Sequence, residues 1–293
     1  VFRDLGLSYY ILKRPDFDKF PGAAYSIAFD AWNPDGRINQ IGTVHNLGEN
    51  FSRAFEIKYE DAEGRQRHVV QTCYGFGISR TLAAVISQHG DDHGLVLPPE
   101  IAPIQVVIVP IPYKGSETEV EKYAGKVYSR LDEAGMRVHL DMTDKTPGEK
   151  YYYWEMFGVP VRVEVGPRDV EAGQVTICER VNLKRRSVAL DEAAEAVKET
   201  FERIERELIE RSRSVLERMT VDAPDIESLG KAIKARRIGR ACWCGGIDCA
   251  ERIREESGGE IRGRRIDVEE KPERPCIVCG REAEMVVYVA RAY

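Results

Sequence analysis

The hydrophobic and polar positions divide the chain into three stretches of different rhythm. In the first, to about residue 100, short apolar runs alternate with turn signals. Ser8–Leu12 and Ala23–Trp32 read as strands, separated by a loop that carries Pro15 and Pro21. Asn33–Gly36 sets a proline and a glycine where a tight turn wants them. Phe55–Tyr59 alternates, Asp61–Gly64 turns and His68–Thr72 returns, which predicts a hairpin. Gln71–Arg80 is a β-like run that breaks at Gly75 and Gly77 and enters a helix near Ile78. Strands joined by tight turns and closed by one helix imply an antiparallel sheet rather than βαβ winding.

The second stretch, residues 101–190, has the longer period of an α/β module. Ile104–Val109 is a buried-type strand. Ser116 with Glu119 reads as a capping box for a helix ending at Gly135, and Met136–Leu140 is the next strand. A second capping box, Thr146 with Glu149 and Pro147 at the first helical position, opens a helix through Phe157. Pro160–Gly166, Gln174–Arg180 and Ser187–Leu190 are strands. The order β-α-β-α-β-β-β predicts a small mixed sheet flanked by helices.

In the third stretch, residues 191–293, Val197, Phe201, Ile204, Leu208, Val215, Leu216 and Met219 form one apolar stripe on a long charged helix. Asp222–Pro224 breaks it. A shorter helix follows with Lys231, Lys234, Arg236, Arg237 and Arg240 and no acid among residues 231–240, the clearest basic patch in the chain. The last segment, Glu284–Tyr293, is an apolar strand that reads as docked, since loose tails are usually polar.

Composition narrows the class without naming a reaction. The chain has 293 residues, 43% of them hydrophobic, enough for two or three cores. No apolar run approaches the ~20 residues that span a bilayer, and no basic-then-apolar leader is seen. The cytosol is therefore the expected compartment. A net charge of −6 argues against wholesale coating of nucleic acid but leaves room for a local basic face.

Two groups of residues carry candidate chemistry. Gly75 and Gly77 allow close backbone approach to a ligand, and the helix N-terminus behind them suits an anion. Arg80 stands in that first turn, where a cation opposes the dipole, so it is suspected of serving a ligand. Gly75-x-Gly77-x-x-Arg80 is not the dinucleotide fingerprint, which needs a third glycine at position 80. The second group is Cys244-x4-Cys249 and Cys276-x2-Cys279, spaced for a tetrahedral ion with no open position, hence a structural metal, expected to be Zn²⁺. Cys242 is a spare that could replace Cys244. His89 and His93, four apart, lack the glutamate of a zinc-protease helix and read as a helix-ending turn. Cys73 and Cys178 read as packing residues.

Together with Gly36–Phe51 upstream and His89–Pro99 downstream, the Gly75–Arg80 stretch resembles the prolyl-tRNA synthetases of archaea and the eukaryotic cytosol. Gly75-x-Gly77-x-x-Arg80 would be their motif 3. The resemblance implies an antiparallel class II catalytic domain over residues 1–100, an α/β anticodon-binding domain with a mixed sheet over 101–190, and a helical linker with a small zinc-binding α+β domain over 191–293. Motifs 1 and 2 have no counterpart, so the N-terminal part of the catalytic domain is expected to be missing and the stretch by itself to be inactive.

Further roles are implied by the resemblance alone. Gln40, Thr43 and Arg80 would contact ATP, Arg80 by stacking on adenine and positioning the phosphates, and His45 would lie by L-proline. Mg²⁺ would accompany ATP. Anticodon contact falls on Glu155, Arg162, Arg168, Asp169 and Lys184 of a chain that binds tRNA(Pro). Cys244 is favoured over Cys242 as a ligand, and Tyr293 would return to the active site. The expected reaction joins proline to tRNA through a prolyl-adenylate, in a cytoplasmic homodimer. A non-catalytic tRNA-binding protein of the same fold, or a class IIa synthetase for another amino acid, is the alternative.

Overall fold

The computed structural model describes residues 1–293. In chain order the first elements are β1 (Tyr10–Lys13), β2 (Tyr25–Trp32), β3 (Arg37–Gly48) and a short helix α1 (Asn50–Ala54). A hairpin of β4 (Lys58–Glu60) and β5 (Gln66–His68), β6 (Gln71–Phe76) and α2 (Ile78–His89) follow. Next are β7 (Val106–Pro110), α3 (Glu117–Glu133), β8 (Val138–Leu140), α4 (Pro147–Met156), β9 (Val161–Val165), α5 (Pro167–Ala172), β10 (Gln174–Glu179) and β11 (Arg185–Ala189). The remainder is the long helix α6 (Ala193–Met219), β12 (Thr220–Asp222), α7 (Ile226–Lys234), β13 (Ile238–Trp243), α8 (Ile247–Ser257), β14 (Glu260–Arg265) and β15 (Met285–Ala292). Two compact units divide within α2 and within α6: one holds Val1–Leu7 and Val85–Arg213, the other Ser8–Ala84 and Ser214–Tyr293.

The second of these units is built on one eight-stranded sheet in the order β12-β13-β15-β14-β1-β2-β3-β6. The last strand is its organiser. β15 lies between β13 and β14, and its end pairs in parallel with the start of β3, Arg291 opposite Arg37. That closure joins β15, β14, β1, β2 and β3 into a ring. The apolar run Met285–Ala292 is buried from Val286 to Ala290 because it is an interior strand. Tyr10, Leu12, Trp32, Ile38, Ile238 and Tyr288 form one core against Leu216 of α6. A second core, around Leu229, Ile233, Trp243, Ile253 and Val287, backs the cysteine-bearing segment.

The other unit has a five-stranded mixed sheet, order β11-β10-β9-β7-β8, with β7 parallel to β8 and β9 and the remaining pairs antiparallel. β7 and β9 are buried at every residue, as a strand covered on both faces must be. The stripe on α6 meets this core at Val197, Ile204 and Leu208.

Three local expectations are corrected. The Thr146–Glu149 capping box forms as read, but the Ser116–Glu119 box does not. The Ser116 oxygen accepts from Tyr113 N at 3.0 Å while its hydroxyl donates to the Tyr113 carbonyl at 2.9 Å, so the preceding loop takes the acceptor that would have capped the helix. The hairpin return strand is short: β5 stops at His68, and Gln71 already belongs to β6, which pairs with β3 instead. Helix α5 was not anticipated. Pro167 at its first position and the Asp169 carboxylate, accepting from Gly166 N at 2.9 Å, were the readable signals.

Candidate active site and metal cluster

Gln40, Thr43 and His45 are not spaced at a strict period of two, yet they share one face of β3. A register shift explains it. Asp30 of β2 pairs with Gln40, while its neighbour Phe29 pairs with Gly42, so Ile41 is the extra residue of a β-bulge. The bulge turns Gln40 onto the side occupied by Thr43 and His45. Its carbonyl is used as well: Ile41 O accepts from Gly77 N at 2.9 Å. The glycine bend after β6 is thereby tied to the bulge, and α2 starts from it.

Arg80, in the first turn of α2, donates from Nη1 to the Gln40 carbonyl at 3.3 Å, and its own carbonyl accepts from Asn39 Nδ2 at 2.8 Å. Its side chain reaches back to β3 through that bond and stays exposed. A Cβ on Gly77 would meet Arg80 Cβ at 3.2 Å and the Ile41 oxygen at 3.3 Å, so position 77 has little room for a side chain. Gly75 stands opposite Thr43, with only the Thr43 methyl near it.

His45 is internally satisfied, and the bonds fix its tautomer. Thr43 Oγ1 donates its hydrogen to the Ile27 carbonyl at 3.0 Å, so it can only accept from His45 Nε2 at 3.2 Å. Nδ1 then accepts from Ser26 Oγ at 2.7 Å, and that oxygen accepts from Phe20 N at 2.9 Å. Burial lowers the imidazole pKa, which agrees with a neutral ring. The Phe20 ring leans on it, centroids 4.9 Å apart. His45 and Phe20 thus make a shaped wall, and His45 has no free nitrogen for proton transfer. Ser26 and Phe20 were missed from the sequence; the lone serine in the apolar β2 run was the only signal.

Cys244, Cys249, Cys276 and Cys279 bring all four sulfurs within 4.8 Å of one another. The Cys244 sulfur is 3.7 Å from those of Cys249 and Cys279. Thiolates at ~2.3 Å from a tetrahedral ion stand about 3.8 Å apart, so the donor set fits such an ion. Cys249 and Cys276 are buried while Cys279 is at the surface, where hydrogen bonds from Arg281 draw its thiol down to about 6. Cys242 is outside the cluster; it is on β13, its carbonyl accepting from Ile277 N at 3.1 Å. His89 is buried, with Nε2 donating to the Leu5 carbonyl at 2.9 Å, and His93 lies 3.5 Å from Glu155, so the two do not form a metal site.

Tyr293 docks at the β2–β3 turn. Its hydroxyl donates to Asp35 at 2.8 Å, and the Arg37 guanidinium lies over its ring. The tail reaches the entrance of β3, three residues before Gln40.

In the α/β unit the five RNA-contact candidates fall into two kinds. Arg162 donates to Glu155 at 2.8 Å and to Glu164 at 3.0 Å, with its guanidinium 3.8 Å from the Tyr151 ring centre. Glu155 and Arg162 are buried and committed to each other. Arg168 on α5 and Lys184 in the β10–β11 turn are exposed, and Asp169 caps α5. Tyr152 faces solvent, whereas Trp154 turns inward to donate to Asp141 at 2.7 Å.

Comparison with known proteins finds family matches in three segments. Family models described as "tRNA synthetase class II core domain (G, H, P, S and T)", "Anticodon binding domain" and "Prolyl-tRNA synthetase, C-terminal" match residues 1–89, 105–200 and 226–293. The fold that carries the β3–α2 face is that of a class II aminoacyl-tRNA synthetase. The proline–tRNA ligases of Pyrococcus horikoshii and Methanosarcina mazei are 47% and 44% identical to the whole chain. A crystal structure of prolyl-tRNA synthetase from Cryptosporidium parvum, complexed with halofuginone and AMPPNP, superposes with a TM-score of 0.92 at 28% identity, covering all of this chain and 62% of that one. The chain belongs to the prolyl-tRNA synthetase family. It spans 62% and 61% of the length of the two archaeal relatives.

Proposed function

We propose that this chain is the part of a proline–tRNA ligase that holds the nucleotide, reads the anticodon and carries a structural zinc. The observation that carries the reading is the bulge at Ile41, which sets Gln40 on the face of Thr43 and His45 and is tied to the glycine bend before Arg80. Support comes from relatives that are proline–tRNA ligases and from a similar structure complexed with AMPPNP.

In the first step a carboxylate oxygen of proline attacks the α-phosphorus of ATP, the new O–P bond forming as the bond to pyrophosphate breaks. In the second, a ribose hydroxyl of tRNA(Pro) attacks the adenylate carbonyl, the carbonyl–phosphate oxygen bond breaks, and AMP leaves carrying the hydroxyl's proton. The attacking carboxylate is already ionised at neutral pH, so no protein base is needed for the first step. Arg80 offers a planar cation for stacking on the base and for phosphate charge, which lysine would not match. The neutral, doubly bonded His45 and Phe20 shape the amino-acid side of the site. Mg²⁺ arriving with the nucleotide would supply charge neutralisation at the phosphates; the buried carboxylate on this face, Asp30, is taken by Arg14 and Arg262. Cys244, Cys249, Cys276 and Cys279 would hold Zn²⁺, which would tie their two loops together as a structural ion.

Arg168, Asp169 and Lys184 meet the anticodon directly, and the buried Glu155–Arg162 pair supports that surface from within. Tyr293 closes the entrance of β3. The working protein is a homodimer of the cytoplasm, and its domains are residues 1–100, 101–190 and 191–293. Pyrophosphate exchange on the complete gene product, run amino acid by amino acid, tests the reading. Exchange dependent on proline is expected. Exchange driven by another amino acid, or tRNA binding with no exchange, would overturn it.

A further inference from the structure

Behind the amide of Gln40 lie three charged residues that belong to none of the motifs marking the site. Arg14 Nη2 donates to Gln40 Oε1 at 2.6 Å. A guanidinium can only donate, so it holds Oε1 toward itself and turns Nε2 the other way. Arg14 is itself fixed. The same Nη2 donates to Asp30 Oδ1 at 3.0 Å, and Nη1 donates to the Arg262 carbonyl at 2.6 Å. The second oxygen of Asp30 accepts from Arg262 Nε at 3.1 Å. Asp18, 3.8 Å from Arg14, and Glu260, 3.6 Å from Arg262, are looser and partly solvated partners. Asp30 is wholly buried, and both arginines are almost so. The series runs from β14 through β2 and the residue after β1 to the bulge of β3.

We propose that Arg262, Asp30 and Arg14 are positioning residues that hold Gln40 in the one amide orientation that offers Nε2 as a donor to the nucleotide. The inference rests on the ATP-dependent reading of the β3 face. An unrestrained glutamine amide presents oxygen or nitrogen with similar ease and loses rotamer freedom when a ligand fixes it. Locking it beforehand leaves that loss out of the binding step and selects acceptor atoms on the ligand. One end of the series, Arg262, stands on β14, within the 226–293 region that also carries the cysteines. That region therefore reaches the nucleotide side chain through two guanidinium groups, without touching the nucleotide.

Double-mutant cycles in the complete gene product separate this from a purely structural role. Arg262→Lys and Arg14→Lys keep a buried cation but lose the fork geometry, and each is assayed by proline-dependent exchange alone and combined with Gln40→Ala. Each lysine variant is expected to raise KM for ATP about tenfold with little change in kcat, the size of one charge-assisted hydrogen bond. On the Gln40→Ala background the same substitutions are expected to change KM for ATP no further. Equal losses on both backgrounds would overturn the proposal. Should Arg14→Lys fail to fold, Arg262→Lys carries the cycle, joined by Gln40→Glu. The latter is expected to pair with Arg14 and to keep the unmodified melting temperature, yet it offers no donor, so it is expected to raise KM for ATP at least as much. An unchanged KM in Gln40→Glu would also overturn the proposal. Absence of exchange in the unmodified protein is a different result, which overturns the synthetase reading itself.

Discussion

Arg80 and Gln40 are held together through the backbone: Nη1 of the arginine donates to the glutamine carbonyl at 3.3 Å, across 40 positions of sequence. The same main-chain unit whose amide side chain is set by Arg14 thus also steadies the cation of α2. Arg80→Lys keeps the charge and loses the plane and the fork. A fall of about a hundredfold in kcat/KM for ATP is expected, with an unchanged melting profile because the side chain is exposed. Exchange kinetics together with circular dichroism decide it, and a fall below tenfold would count against Arg80 as a phosphate and base contact.

Gly77→Ala probes the bend rather than the cation. The added methyl meets the Ile41 carbonyl and Arg80 Cβ inside ordinary contact distance, so the backbone must give by a few tenths of an ångström. The expected outcome is a higher KM for ATP, with Gly75→Ala milder because only the Thr43 methyl stands near it. Equal effects at the two positions would contradict the geometry.

The cysteine cluster predicts one bound metal equivalent, measurable by elemental analysis. Cys276→Ser is expected to lose it and to lower the melting temperature, since metal binding and folding of the 226–293 segment are coupled. Cys242→Ser is expected to keep the metal, because that residue is outside the four-sulfur group. Loss of metal in Cys242→Ser would reassign the ligand set.

Asp91 gives a pH test in the α/β unit. Two hydrogen bonds from Arg180, at 2.6 and 2.8 Å, hold its carboxyl down to about 2. A depressed carboxyl pKa stabilises the folded state above the unfolded value near ~4, and the contribution is lost as pH falls through the folded value. Solvent screening reduces it to about 1 kcal/mol. Asp91→Asn is expected to destabilise the protein by that amount at pH 7 and to converge with the unmodified protein towards pH 2, as followed by urea denaturation.

Removing Tyr293 takes away a hydrogen bond to Asp35 and a ring under Arg37, both at the surface. Melting is expected to shift little while aminoacylation falls several-fold. Unaltered turnover would leave the tail a purely structural end.

Much of this protein was written in local order. Alternation in β2, the stripe on α6, Pro147 after Thr146 and the paired cysteine spacings each act over a few residues, where side-chain period, capping bonds and ligand reach are set by covalent geometry. The glycine bend before Arg80 and the run of motifs around it were likewise readable along the chain.

What only the tertiary structure decided lies in register and in long-range pairing. The bulge at Ile41 cannot be read from β3 alone, since it exists only against β2, and it is what turns Gln40 to the face of His45. The satisfied state of His45 depends on Ser26 of β2 reaching one ring nitrogen and Thr43, itself tied to the Ile27 carbonyl of β2, reaching the other. Ser116 was diverted from its helix by a loop N–H, that of Tyr113. Arg262 meets Asp30 across 232 positions of sequence, because β15 and β14 close onto β1 and β3 and place opposite charges out of water. A buried charge must find its partner wherever the fold brings one, and no local pattern states which strand that will be.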